Sequence, residues 1–371
     1  MRYFFSSGEA SGELSAVLLA RAIRSHDPQA QFEGIGSARM RAEGFTLWRD
    51  HTGWASMGPL AAIPRIPKLL VAMWDTAKHI ARSKPDLVVL IDFGAFNVRL
   101  AKELREKLHY EGPVLDVFPP STWLDREGVA RAVSGATVPV TAFKRQYDFY
   151  KSLDLPIVYF GHPLAAQYQA RAPRPAPPAA GGTIGLLPGS RMGELRYHVP
   201  VLIETVRRLQ AARPELTAVF GAATDQGERF IRRAIERAKL RGTSVGRGVD
   251  VVRDCDAAFV ASGTAVLETA LLGVPAVALY IITPILVRHA RKVYSGPFIT
   301  LPNLVLERAV VPEFLQDAAT PQALAASMET LLRDPSAQVS QFAELRERLG
   351  PASALDDLAR FAVALAKTGA P

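Results

Sequence analysis

The sequence predicts an α/β protein of two Rossmann-like domains, and three observations carry that prediction. Short apolar runs alternate with segments of helical period through the first third, a proline-rich stretch interrupts the chain near its middle, and the alternation restarts after it. At 371 residues, 49% of them hydrophobic and 22% charged, the chain is long enough to bury two cores.

Tyr3–Ser6 reads as the first strand, followed by the turn Ser7-Gly8-Glu9-Ala10-Ser11-Gly12 and a helix to about Ser25. Asp86–Ile91 reads as a strand buried on both faces that ends at Asp92. Such ends matter because ligands of open α/β sheets bind beyond the carboxyl ends of the strands. Residues 170–182 hold four prolines and two glycines with almost nothing to bury, and they read as a linker between a first domain, 1–169, and a second, 183–344. In the second domain Thr183–Leu187, Thr217–Phe220, Ala257–Ala261 and Ala276–Tyr280 read as strands. Helices start near Glu194 and Thr264, and another runs through Lys239. Two units facing across a cleft are the economical arrangement, and no solenoid repeat is present.

A net charge of +8 favours anionic partners: nucleotides, phosphorylated lipids, acidic membrane surfaces or nucleic acid. No basic run is interleaved with aromatics, which argues against nucleic acid. One cysteine, Cys255, and seven histidines without HxH, HExxH or CxxC spacing argue against disulfides and a structural zinc. The apolar start Tyr3-Phe4-Phe5 is too short for a secretory signal, and no apolar run reaches the roughly 18 residues of a membrane span. A cytoplasmic protein is expected, able to lie against a membrane.

Pro188-Gly189-Ser190-Arg191 follows a strand and precedes a helix. Glycine there admits close approach of a ligand, a helix start offers N–H groups and partial positive charge, and Arg191 can grip a phosphate with two donors. The segment reads as a diphosphate cradle or as an ordinary strand-to-helix turn. Ser262-Gly263-Thr264 repeats the design after Ala257–Ala261, with Glu268 one helical turn on, where a carboxylate can accept from ribose hydroxyls. Two such turns favour nucleotide binding. Asp254-Cys255-Asp256 has the spacing of a metal-diphosphate motif but precedes its strand, so it reads as a turn and cap, and no metal is expected. Asp92 reads as a general base for an acceptor hydroxyl or as a strand-end cap.

Two segments combine apolar residues with basic flanks, as core faces or membrane-facing surfaces do. The first stripe is Ile63, Ile66, Leu69, Leu70, Met73, Trp74, Ala77 and Ile80, flanked by Arg65, Lys68, Lys78 and Arg82. The second runs from Ile281 to Val293 and includes Ile285, Leu286, Arg288, His289, Arg291 and Lys292.

Six motifs together resemble the lipid-A-disaccharide synthase family, in its order and approximate spacing. They are Ser7–Gly12, Ile91-Asp92 with Phe96-Asn97, Gly161-His162-Pro163, Leu187–Arg191 with Glu194, Ala261–Ala265 with Leu267-Glu268, and Leu301-Pro302-Asn303-Leu304. The likeness runs from about Tyr3 to Asp317. It implies a GT-B fold whose last helices, here 345–371, return to the first domain. It also implies an inverting transfer, independent of metal or other cofactor, at the cytoplasmic membrane face. The donor would be UDP-2,3-diacylglucosamine and the acceptor 2,3-diacylglucosamine 1-phosphate. The donor's UDP would be held by Gly189, Ser190, Arg191, Ser262, Gly263, Thr264, Glu268 and Asn303. Asp92 would be the base, with Glu9 nearby. Gly8, Ser11, Phe96 and Asn97 would meet the acceptor, with Met73 and Trp74 against acyl chains, and an oligomer is compatible with all of this.

The chain departs from the family's usual pattern at Glu13, Ala95, Ala166 and Phe118–Leu124, mostly in the acceptor half. Ala95 stands where a second acid is usual. The alternatives are therefore a divergent GT-B enzyme with another lipid or glycan acceptor, a sugar epimerase, or a silent homologue that binds lipid or nucleotide.

Overall fold

A computed structural model of the chain describes residues 1–8, 10–51, 54, 66–168, 170, 172, 180–294 and 296–369. Glu9, Ile63, Arg65 and most of the expected linker lie outside the described residues, as do the side chains of His289 and Arg291. The chain forms two compact units, Met1–Ala166 with Leu349–Pro371, and Gln167–Arg348.

Among the described residues the first unit holds seven strands: β1 (Arg2–Ser6), β2 (Gln31–Gly36), β3 (Thr46–Asp50), β4 (Leu87–Ile91), β5 (Val114–Val117), β6 (Val138–Thr141) and β7 (Val158–Tyr159). They pair in the order β3-β2-β1-β4-β5-β6-β7, all parallel. Helices cover both faces, so the central strands are apolar throughout, and every residue of β4 is buried. Strand alternation sends Tyr3 and Phe5 to one face and Phe4 to the other.

On the first face the helix Ala10–His26 lays down Ala16, Leu19, Ala20 and Ile23. Beside it packs the C-terminal helix Ala354–Thr368, with Leu358, Ala359, Ala362, Val363 and Leu365 in the same core. The chain returns to this unit past Gly161, whose φ is +105° and where a Cβ would lie 2.8 Å from the Leu349 carbonyl. His162 donates its backbone N–H to that carbonyl at 2.7 Å, so the Gly161-His162 motif secures the returning segment. Burial pushes the His162 imidazole down to about 4.

The opposite face is covered by the helices Ile66–Ser83 and Gly94–Lys102. Here the expected apolar stripe divides. Met73, 4% exposed, packs in the core with Ala77 and Ile80, whereas Trp74 is 44% exposed, along with Ile66 and Val71. A face wide enough to pack under one neighbouring helix takes only part of so broad a stripe, so Met73 is core while Trp74 and Ile66 face outward.

The second unit holds β8 (Thr183–Leu187), β9 (Thr217–Ala222), β10 (Thr243–Arg247), β11 (Ala257–Ala261), β12 (Ala276–Tyr280) and β13 (Glu313–Leu315). Their order is β10-β9-β8-β11-β12-β13, again all parallel. Three of these strands coincide with the predicted ranges because flanking turn residues punctuate their apolar runs. The helix expected from Glu194 begins earlier, at Met192, with Arg191 as its N-cap and Glu194 at the third position. The turn expected over Ser7–Gly12 is likewise shorter, because helix already starts at Ala10. Among the described residues no helix is long and apolar enough to cross a membrane.

All four tryptophans lie in the first unit, so their fluorescence reports its unfolding alone. Leu358→Ala removes a buried contact between the returning helix and the sheet and is expected to cost about 2–4 kcal/mol. The measurement is a urea titration, read as a lower midpoint at unchanged slope.

Candidate functional site

In both sheets strand order reverses at one point, between β1 and β4 in the first unit and between β8 and β11 in the second. Loops leaving neighbouring strands diverge there and open a crevice at the carboxyl edge. The Ser7-Gly8 turn and Asp92 follow β1 and β4, and the Gly189 and Gly263 turns follow β8 and β11.

In the second unit Gly189 has φ +111°, and a Cβ on it would lie 2.4 Å from Glu194 Oε2. Glycine is therefore required for the turn to close over that carboxylate. Glu194 is buried and accepts the backbone N–H of Ser190 at 3.0 Å and of Arg191 at 3.2 Å, with Arg191 Nη1 at 3.1 Å. Those two amides are thus engaged by Glu194, and what the turn presents is the exposed Ser190, the Arg191 guanidinium and the helix start. One turn on, the fully buried His198 donates from Nδ1 to the Pro188 carbonyl at 2.7 Å and accepts the Ile281 N–H at Nε2 at 2.9 Å. It joins the β8 turn to the end of β12 as a neutral tautomer, and burial holds it below the usual histidine range. Sequence reasoning missed His198, whose signal was a position four residues after Glu194, on the same helical face.

At the second turn Gly263 is exposed with φ +150° and open space where a Cβ would be. Ser262 donates its N–H to Leu279 at 3.1 Å and its hydroxyl to Ile299 at 3.4 Å, and Thr264 opens the following helix. Glu268 is largely buried, and its carboxylate accepts the Tyr168 hydroxyl. Asn303 corrects the expectation of a donor contact. It is 1% exposed, its amide donates to the Val311 carbonyl and Glu313 at 2.8 Å, and its oxygen accepts the N–H groups of Val310 and Val311. Its side chain ties a loop and presents nothing to a ligand. Asp256 accepts the Thr183 N–H at 2.7 Å at the start of β8, the sheet edge opposite the two turns.

In the first unit Asp92 and Phe93 both have φ +53°, a left-handed pair that costs about 1–2 kcal/mol per residue. Asn97 holds them, donating to the Asp92 carbonyl at 2.6 Å and accepting the Ser6 hydroxyl at 2.7 Å. The kink leaves the Asp92 carboxylate exposed, 3.3 Å from the Ser11 hydroxyl. A Cβ on Gly8 would lie 2.4 Å from the Phe93 ring. Asn97 and Phe96, expected against the acceptor, are both buried, and Phe96 stacks on Phe93 at 5.0 Å between ring centres. They shape the turn that presents Asp92. Gly8, Ser11 and Asp92 remain together at the edge.

Glu13, one of the departures, is buried and accepts from the Ser37 hydroxyl at 2.8 Å, with His51 at 3.4 Å. Burial alone would raise its carboxyl, but His51 and Ser37 hold it below the usual range. A second acid was missed by sequence reasoning: Asp116, in the middle of β5 and 2% exposed, pushed up to about 7 by burial and then by the charge of Asp92. Its signal was the single acid in Val114-Leu115-Asp116-Val117.

Of the second apolar segment, Ile285 is 61% exposed on the helix Pro284–Val293, while Leu286 is buried.

A family model described as lipid-A-disaccharide synthetase matches residues 3–352. The lipid-A-disaccharide synthase of Pseudomonas aeruginosa (strain UCBPP-PA14) is 32% identical over 362 residues, covering 94% of each chain. That of Myxococcus xanthus is 34% identical over 372 residues, covering 95% of this chain and 94% of its own. Among solved structures, MurG of Acinetobacter baumannii aligns with a TM-score of 0.60 at 14% identity, over 98% of this chain and 99% of that one. The UDP-GlcNAc 2-epimerase of Neisseria meningitidis bound to UDP-GlcNAc aligns at 0.63 and 12% identity, over 98% and 100%. The chain therefore belongs to the lipid-A-disaccharide synthase family and is a GT-B glycosyltransferase that forms a lipid A disaccharide.

Proposed function

We propose that the protein transfers 2,3-diacylglucosamine from its UDP carrier to the 6-hydroxyl of 2,3-diacylglucosamine 1-phosphate, releasing UDP and the β-1,6-linked disaccharide 1-phosphate. The observation that carries this reading is the chemistry at the two switch points: an exposed carboxylate, Asp92, in one unit, and an arginine at a helix start, Arg191, in the other.

The acceptor hydroxyl gives its proton to Asp92 while its oxygen bonds to the anomeric carbon of the donor from the side opposite the diphosphate. The bond from that carbon to the diphosphate oxygen breaks, and negative charge grows on the leaving UDP. Arg191 and the start of the helix Met192–Ala212, with its roughly half unit of positive charge, stabilise that charge. Ser190 and the turn Ser262-Gly263-Thr264 complete the cradle around Gly189. Glu268, oriented by the Tyr168 hydroxyl, takes the ribose hydroxyls. Gly8 and Ser11 line the acceptor side beside Asp92. Exposed Trp74, Ile66 and Val71, with Lys68, Lys78 and Arg82 on the same helix, suit acyl chains and the anionic inner membrane face.

Arg191→Ala is expected to cut turnover at least about 100-fold, with a smaller loss of donor affinity, because its charge acts mainly as the diphosphate departs. Unchanged turnover in a folded variant removes Arg191 from the site. With arginine and a helix start in the place of a cation, EDTA should leave the rate intact; a loss restored by magnesium would point to a metal-dependent transfer instead.

Asp92→Asn should abolish transfer, a loss of about 10²- to 10⁴-fold, while calorimetry finds donor binding within a few-fold of the parent. Near-normal turnover would pass the role of base to Glu9. Offering other lipid and glycan acceptors with the same donor tests the acceptor assignment, since UDP release should require the acylated glucosamine phosphate.

A further inference from the structure

Three of the four residues of β5 are apolar and the fourth, Asp116, is an acid in a strand buried throughout. A carboxyl there forfeits hydration and is tolerated when neutral or well hydrogen-bonded. Among the described residues no hydrogen bond reaches it, so the neutral form is the one this position favours.

What lies around Asp116 points to a purpose. It is in register with Leu90, and the Asp92 N–H donates to the Val117 carbonyl at 3.1 Å, so Asp92 leaves β4 beside the end of β5. Val114 and Leu90 face the core that contains Phe96 and Leu100, and strand alternation turns Asp116 to that same side, beneath the helix that follows Asp92. Behind it the Tyr150 hydroxyl is buried without a hydrogen-bond partner and is raised by burial and then by Asp116. Pro139, its ladder partner on β6, carries no charge, and Arg99, Lys102 and Arg131 on the covering helices are exposed. Asp92 is the charge that acts on Asp116.

We propose that Asp116 is a second acid of the transfer site, a positioning residue whose charge, set one strand away, governs how strongly Asp92 takes up the proton of the acceptor hydroxyl. This rests on Asp92 being the base. Two carboxyls this close to one sheet edge resist ionising together. Below about pH 7 Asp116 holds its proton. Above that pH Asp116 is ionised, and its charge favours transfer of the hydroxyl proton to Asp92. The proton returns to solvent after UDP leaves, so the cycle needs no further reactant.

The test measures kcat/KM against pH for the parent, Asp116→Asn and Asp92→Asn, with thermal midpoints at pH 5 and pH 8. The parent rate should rise as pH passes about 7, and Asp116→Asn should lose that limb, running about tenfold slower on the alkaline side with donor KM unchanged. The midpoints have a defined sign. A carboxyl raised in the folded state binds its proton there more tightly than in the unfolded chain, so the parent loses stability as pH climbs from about 4 toward 7. The midpoint of Asp116→Asn relative to the parent should therefore rise between the two pH values.

An Asp116→Asn enzyme with the parent's pH profile, beside an inactive Asp92→Asn, overturns this inference and leaves the base in place. Normal turnover in Asp92→Asn removes both. Should Asp116→Asn fail to fold, infrared spectroscopy of the parent decides: a protonated carboxyl band that fades as pH passes about 7 supports a neutral Asp116 that ionises there, and its absence at pH 5 to 6 overturns the inference.

Discussion

A parallel strand covered by helices on both faces can meet a ligand only at its ends, and that constraint governs both units of this protein. Every ladder described in the two sheets is parallel, so side chains along the strands face the cores, and contact with a ligand is left to the turns at the carboxyl edge. Within that edge the reversal of strand order selects one crevice in each unit. Gly8 and Asp92 fall there in one unit, and Gly189 to Arg191 and Ser262 to Thr264 in the other.

Those turns are held by buried polar side chains, each spent on backbone. Glu194 accepts two amides of the Gly189 turn, His198 bridges Pro188 and Ile281, Asn97 fastens the left-handed backbone at Asp92, and Asn303 binds Val310 and Val311. A buried amide or carboxylate that satisfies several backbone groups is costly to replace, because each lost partner leaves a desolvated group behind. Such residues share sequence motifs with groups that face solvent, and motif membership alone does not separate the two: Asp92 and Ser190 are exposed, whereas Asn97 and Asn303 are not.

The first unit carries the greater strain and the greater departure from the family's usual pattern. Two consecutive left-handed residues lift the Asp92 carboxylate out of the sheet edge, a geometry stable only because Asn97, Ser6 and the β5 backbone brace it. Ala95 leaves the adjoining helix without an acid, yet an acid is present one strand away at Asp116. A carboxyl moved from a helix into the sheet exchanges hydration for a fixed place beside its neighbour. The Glu13 carboxylate shows the opposite solution, since its burial is offset by Ser37 and His51.

The amino-acid sequence by itself determined the α/β class, three strands of the second sheet to the residue, and the turns at their ends. Local signals suffice for these: a buried strand must be an apolar run, and glycine, serine and proline must punctuate it. Only the tertiary structure decided which members of a motif face outward, because burial depends on what packs opposite a residue. Thus Met73 and Trp74, adjacent in sequence, part between core and surface, and Asn303 turns inward to its own loop. The neighbourhood of Asp116 was beyond the sequence for the same reason. Its distance along the chain from Asp92 and Tyr150 says nothing of their proximity, which arises when β4 and β5 pair and the helix Lys144–Ser152 brings Tyr150 to the same sheet.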